Sequence, residues 1–239
     1  MDKDIIKLNE IINNSKRLVF LGGAGVSTES GIPDFRGKDG LYRQKYDYSP
    51  EYILSIDCFL DNPKLFYKFY FDKMIYDDVK PNIIHYKLAD LEKRGILSSV
   101  ITQNIDGLHQ MAGSKNVLEL HGNVYSFHCM KCNKKYNLQN INRSDIPKCS
   151  CGGILKPDIV LYGEMMDENV SRKAIYEVSK ADTLIVGGTS LLVNTASSLL
   201  NYFNGDNLVI INLDTTDYDR LADLVINKKL GEVFSKLKC

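Results

Sequence analysis

The chain has 239 residues with 30 basic and 30 acidic side chains, so its formal net charge is zero; 25% of its residues are charged and 44% hydrophobic. That balance excludes a disordered chain, which combines low hydrophobicity with high net charge, and it supplies no overall field to draw the protein onto a nucleic-acid backbone. The length suits one large domain, or one domain carrying a smaller inserted module.

Met1 to Ile12 alternates charged and apolar residues and lacks the apolar core of a secretion signal. No stretch approaches the roughly 18 apolar residues of a membrane span. A cytoplasmic protein with no membrane partner is expected. Asp4 to Asn13 reads as a helix, with Ile5, Leu8, Ile11 and Ile12 on one face. Arg17 to Leu21 (RLVFL) reads as a buried strand and runs into Gly22-Gly23-Ala24-Gly25-Val26-Ser27. Glycines after a strand let the backbone approach a pyrophosphate at a helix start. By itself this run fits a plain strand-to-helix turn equally well, since Thr28 replaces the last glycine of the dinucleotide pattern. Tyr42 to Tyr76, rich in aromatics, reads as a small helical module.

Ile83 to Arg94 repeats apolar residues at three and four, with Gly95 as its stop. Within it, His85 is expected at the surface or half-buried. Ser98 to Thr102 is a strand ending at Gln103-Asn104, and an apolar strand-like run, Asn116 to Leu120, precedes His121. His109 reads as structural, satisfied by a neighbouring backbone group. Tyr125 to Ile154 holds a cysteine cluster and little periodicity. Asn169 to Ser179 is a helix, Thr183 to Val186 and Leu208 to Leu213 are strands, and Leu230 to Leu237 is a final helix. Strands alternating with helices predict an α/β fold: a Rossmann-like, doubly wound parallel sheet, with a smaller lobe made of the helical module and a zinc ribbon. The expected division is 1–40, 81–123 and 155–239 for the sheet lobe, 41–80 for the helical module and 124–154 for the zinc-binding module.

Four of the six cysteines are spaced Cys129-x2-Cys132-x16-Cys149-x1-Cys151. Two close pairs separated by a short loop form a four-sulfur zinc pattern, and four sulfurs leave no open catalytic position. One structural Zn2+ per chain is expected. The competing reading is a set of free or regulatory thiols. Cys58 reads as a small buried hydrophobe and Cys239 as a frayed terminal thiol.

Taken together and in order, GAGVSTESGIPDFRG (23–37), TQNIDGLHQMAG (102–113), LHGNV (120–124), the cysteine quartet and PDIVLYGE (157–164) resemble the sirtuins of the bacterial type, the NAD-dependent protein-lysine deacylases. The resemblance covers nearly the whole chain. It implies transfer of an acyl group from a protein lysine to ADP-ribose, with release of nicotinamide, O-acetyl-ADP-ribose and free lysine. On its own His121 is a satisfied core residue as readily as a base; the resemblance makes it the general base, and an unperturbed pKa near 6.5 suits that role. Asn104 would position a water or hydroxyl.

The remaining roles are likewise implied by resemblance. Ala24 and Thr28 would border the NAD phosphates and ribose. Phe35 would shield the reacting ribose, and Arg36 would hold the closing loop and a phosphate. Gln103 would bond the ribose, while Ile105 and Asp106 would grip the nicotinamide carboxamide. Thr189 and Ser190 would contact phosphate and ribose, Asn212 and Asp214 the adenosine ribose, and Ile226 the adenine. Without the resemblance, Asn212 and Asp214 read as a polar strand end. The acylated peptide would add as a strand between Val160–Glu164 and Ser190–Asn194, touching Val160, Tyr162, Gly163 and Glu164. Tyr162 stands where many members have Phe. The partners expected are acetylated protein lysines, with no direct nucleic acid, and the chain is expected to be a monomer. Two rivals remain: a mono-ADP-ribosyltransferase or NAD hydrolase using the same site, and a non-catalytic zinc-ribbon module with a nucleotide-sensing lobe.

Overall fold

The computed structural model describes residues 2–35, 37, 40–43 and 45–238, and the backbone alone at Asn194. Nine strands are present among them: β1 (Leu18–Gly22), β2 (Leu97–Thr102), β3 (Val117–Glu119), β4 (Gly122–Cys129), β5 (Lys135–Asn137), β6 (Leu155–Ile159), β7 (Thr183–Gly187), β8 (Asn207–Ile211) and β9 (Leu224–Ile226). The helices are α1 (Lys3–Asn14), α2 (Pro50–Ile53), α3 (Ile56–Asp61), α4 (Pro63–Lys73), α5 (Ile83–Lys93), α6 (Leu108–Met111), α7 (Glu168–Lys180), α8 (Asn194–Ser197) and α9 (Leu230–Phe234). None of the described helices is long and apolar enough to cross a membrane.

Six strands form a parallel sheet in the order β3-β2-β1-β7-β8-β9. Every residue of β1 is buried, yet the two-residue pleat still sorts the strands. Leu18, Phe20, Val100, Ile185, Val209 and Ile211 enter one core cluster, with residues of α1, α5 and α9. Val19, Leu21, Ile101, Leu184, Val186, Leu208 and Ile210 enter the other, with α7. Helices on both faces explain why these strands read as continuous apolar runs. The order in which the chain adds strands reverses between β1 and β7, the switch point at which such a sheet opens a crevice at the carboxyl ends of its strands.

The smaller lobe has its own core. The antiparallel sheet β5-β4-β6 packs on α2–α4 through one cluster running from Leu41 to Leu161 in sequence. Phe66, Tyr67, Phe69 and Tyr70 of α4 are buried there, ring against ring, with Phe66 stacked on Tyr70 at 5.6 Å. The hydroxyl of Tyr70 donates to Val124 O, and that of Tyr67 donates to Leu155 O.

The long predicted elements are all present within one or two residues, except that the last helix stops at Phe234. The glycine run leads into two short 3-10 turns, Ala24–Val26 and Thr28–Ser30, and not into a regular helix. Gly31 at φ 91° and the Ile32-Pro33 pair end them.

Candidate active site

The crevice is built by backbone interlocking. Gly23 N donates to Gly187 O at 3.2 Å and Gly25 N to Gly188 O at 2.8 Å. Gly188 has φ 62°, and a Cβ on Gly25 would lie 2.7 Å from the Gly188 Cα. The Gly187-Gly188 pair is therefore what allows the turn after β7 to lie against the turn after β1. Thr189 follows, with Oγ1 donating to Gln103 Oε1 at 2.9 Å. Thr28 Oγ1 turns back to Gly25 O at 3.0 Å.

Beyond β2, Gln103 N donates to Gly22 O at 3.0 Å. The buried Ser27 is the hub between the two turns: Asn104 Nδ2 donates to Ser27 Oγ at 3.0 Å, and Ser27 Oγ donates to Asp106 Oδ2 at 2.7 Å. Asp106 Oδ1 accepts from Leu108 N at 2.9 Å and starts α6. Burial pushes the Asp106 carboxyl up, opposed by those two hydrogen bonds. The sequence reading missed Ser27, although it stands inside the glycine motif.

His121 lies between β3 and β4. Its Nδ1 is 3.0 Å from Gln103 O. A carbonyl only accepts, so Nδ1 carries the hydrogen and Nε2 keeps its lone pair. Burial holds the imidazole below its usual range, and the bond to Gln103 O acts the other way. His121 O in turn accepts from Val160 N at 3.0 Å, which ties the base to the segment after β6. In that segment Tyr162 N donates to Leu54 O and Tyr162 O accepts from Ile56 N, each at 3.0 Å. The Tyr162 ring is 42% exposed, and its hydroxyl is hydrogen-bonded to that of Tyr42. Tyr42 packs edge-on against Phe35 at 5.5 Å. The extra hydroxyl at position 162 thus meets the loop that bears Phe35.

The structure brings Ala24, Thr28, Gln103, Asn104, Asp106, His121 and Thr189 around one crevice. Val124 N donates to Ile105 O, fixing Ile105 beside the same turn. Ser190 is exposed. Asn212, Asp214 and Ile226 meet at the ends of β8 and β9: Asn212 Nδ2 donates to Asp214 O at 2.8 Å and Asn212 N to Ile226 O at 3.2 Å. The Ile226 side chain is packed into the core with Ile211. Arg36 lies outside the described residues, as does Cys239.

The four cysteine sulfurs converge, all within 4.8 Å of one another. Cys129–Cys151 is 3.4 Å, Cys132–Cys151 is 3.5 Å and Cys132–Cys149 is 3.6 Å. Tetrahedral Zn–S bonds of about 2.3 Å place sulfurs about 3.8 Å apart, so this donor set fits one zinc ion. His128 is not part of it; its Nδ1 meets Asp158 Oδ1 at 2.5 Å. Cys58 is buried.

Two further histidines depart from expectation. His85 is wholly buried on α5, where its Nδ1 accepts from Asn82 N at 3.2 Å in a capping box. His109, 1% exposed, packs against it with ring centroids 4.7 Å apart and planes tilted by 59°, and neither of its ring nitrogens has a partner.

Comparison with known proteins gives one answer throughout. The Sir2 family model matches residues 23–195. The chain is 54% identical to an NAD-dependent protein deacetylase of Clostridium perfringens (strain 13 / Type A), over 99% of each chain. To one of the same name from Staphylococcus epidermidis it is 47% identical, over 98% of this chain and 96% of that one. Among solved structures, a Sir2 with p53 peptide and NAD+ superposes with a TM-score of 0.87 at 39% identity, over 99% of this chain and 97% of the other. A Sir2 with deacetylated p53 peptide and 3'-O-acetyl-ADP-ribose gives 0.90 at 40% identity, over 97% and 96%.

Proposed function

Because the chain belongs to the Sir2 family, we infer from the site how these residues carry out NAD-dependent deacetylation of protein lysines. NAD supplies a ribose carbon activated by a good leaving group, nicotinamide. With one water consumed, the acetyl group leaves as O-acetyl-ADP-ribose, together with free lysine and nicotinamide.

The observation that carries the assignment is the hydrogen bond from His121 Nδ1 to Gln103 O. It leaves Nε2 as the acceptor for a ribose hydroxyl proton. Asn104, held through Ser27, positions a hydroxyl or water beside it. Asp106, on the same serine, receives the carboxamide together with Ile105. Gln103 and Thr189 bind ribose and phosphate next to Ala24, Thr28 and Ser190, and Phe35 keeps water from the reacting face. Asn212 and Asp214 take the adenosine end. Arg36 is assigned to the closing loop on the motif alone.

Cys129, Cys132, Cys149 and Cys151 hold a structural zinc ion that cross-links the small sheet. We read 41–80 and 124–154 as the inserted modules and the rest as the NAD lobe; the separate cores of the two lobes support the division, except that β6 and Leu161 pack with the small lobe. Acetylated protein lysines are the substrates. A cytoplasmic setting, which keeps cluster thiols reduced, and a monomeric state, tested by light scattering, complete the reading.

The deciding experiment is mass spectrometry of an acetyl-lysine peptide incubated with and without NAD. Loss of the acetyl mass only with NAD, with O-acetyl-ADP-ribose formed in equal amount, is the expected result. Nicotinamide release with ADP-ribosylated or untouched peptide would overturn it in favour of transferase or hydrolase chemistry.

A further inference from the structure

Lys156 lies in β6 and is only 5% exposed. An ammonium so deeply buried is costly unless every hydrogen finds an acceptor. Here the three acceptors are Ile159 O at 3.0 Å, Pro157 O at 3.2 Å and Glu164 Oε2 at 2.9 Å. The same carboxylate oxygen accepts from Leu161 N at 2.9 Å, and Glu164 N donates to Leu161 O at 3.0 Å. Gly163, at φ 88°, makes that turn possible.

The two ends of the staple lie on either side of the segment assigned to the peptide. Val160, bonded to His121 O, and Tyr162, bonded to Leu54 and Ile56, sit between Ile159 and Glu164. The resemblance would have Glu164 face the peptide. Its carboxylate instead faces inward and neutralises Lys156. Both bonds fall on Oε2, and the pairing with Lys156 offsets the negative charge that Glu164 would otherwise offer a ligand.

Building on the deacetylase reading, we propose that Lys156 and Glu164 form a buried staple that shapes Val160–Glu164 for the acyl-lysine peptide. Glu164 is then a positioning residue and not a peptide contact. Both residues act on peptide affinity through the backbone between them.

The test uses the full chain as K156M, E164Q, the double variant and K156R. Each is assayed with two acetyl-lysine peptides that differ only in a neighbouring lysine or alanine. Steady-state KM for peptide and for NAD is measured alongside direct peptide binding by anisotropy. K156M and E164Q should each weaken both peptides about tenfold, and the double variant no more than either, because coupled partners are non-additive. KM for NAD should change less than about twofold, and K156R, which keeps the charge but not the compact ammonium, should lose less than K156M.

A loss in E164Q confined to the lysine-bearing peptide would make Glu164 a direct contact and overturn the proposal. Additive losses, or unchanged peptide affinity in both single variants, would also overturn it. If K156M fails to fold, E164Q and K156R decide by the same readouts. Binding is measured without turnover, so a wild-type chain that binds peptide but makes no O-acetyl-ADP-ribose would sink the enzymatic reading separately from the staple.

Discussion

His121 works through the tautomer that Gln103 O imposes on it. His121→Ala should therefore lower kcat by about a thousandfold, the middle of the range for losing a general base, while leaving NAD affinity within about threefold. Steady-state rates and NAD titration check this pair of outcomes. Because burial lowers its pKa, the free base persists into mild acid. The acid limb of kcat/KM should then have its midpoint below about 6.5, the ordinary histidine value; a midpoint above 7 would assign the limb elsewhere. The motifs made the positions of Gln103, Asn104, Asp106 and His121 legible, because the first three share one motif at the end of β2 and His121 follows β3. Ser27 was not legible as a hub, because its partners Asn104 and Asp106 lie on another strand's loop. His85 is buried more deeply than the surface or half-buried place expected of it, although a signal exists. Ile84, His85, Leu88 and Leu91 are the buried positions of α5, and a stripe at i, i+1, i+4 and i+7 puts His85 on the core face.

Among the elements, the small sheet depends most on its metal. β5 is three residues long, and two short antiparallel pairings give little independent stability. Metal analysis should find one zinc per chain, and Cys149→Ser should lower Tm by roughly 10 °C or more, with activity lost through the lobe and not the crevice. A zinc-free preparation with full activity and an unchanged Tm would refute this. The cysteine spacing made the site legible. The sheet around it was not, because Tyr125–Ile154 lacks clear alternation and its pairing is set by the metal and by partners on β6. The helical module has a different lesson. Phe66, Tyr67, Phe69 and Tyr70 of its aromatic run are core residues, so aromatics at this spacing on a helix speak first for packing. α4 carries no arginine that could hold an acidic acyl group. Lys68 is exposed and Lys73 pairs with Asp72 at 3.0 Å, and neither offers the fork that a buried carboxylate needs. The kcat/KM for a succinyl-lysine peptide should be at least about tenfold below that for its acetyl counterpart. Equal values on one peptide sequence would count against this.

For the molecule as a whole, the His85–His109 pair makes stability depend on pH. Burial lowers the two pKa values to about 4 and about 3. Both are depressed below the unfolded value near 6.5, so the unfolded chain takes up protons first as pH falls. Stability should decline from about pH 6.5 toward pH 4, by up to about 1.4 kcal/mol per unit for each ring. Urea unfolding at pH 7 and pH 5 should differ by about 4 kcal/mol from this pair, and His109→Leu should remove about half of that difference. An unchanged difference in the variant would clear the pair of this role. The sheet order β3-β2-β1-β7-β8-β9 also has a consequence for the newborn chain. β1 finds β2 once residue 102 is made, but its other edge waits for Gly187. At ordinary rates of synthesis that wait lasts roughly ten seconds, with a wholly apolar strand half-paired and open to aggregation. The β4–β6 sheet closes within residues 122–159, so on the ribosome the metal-bearing lobe is complete before the lobe that receives NAD has its central strands joined.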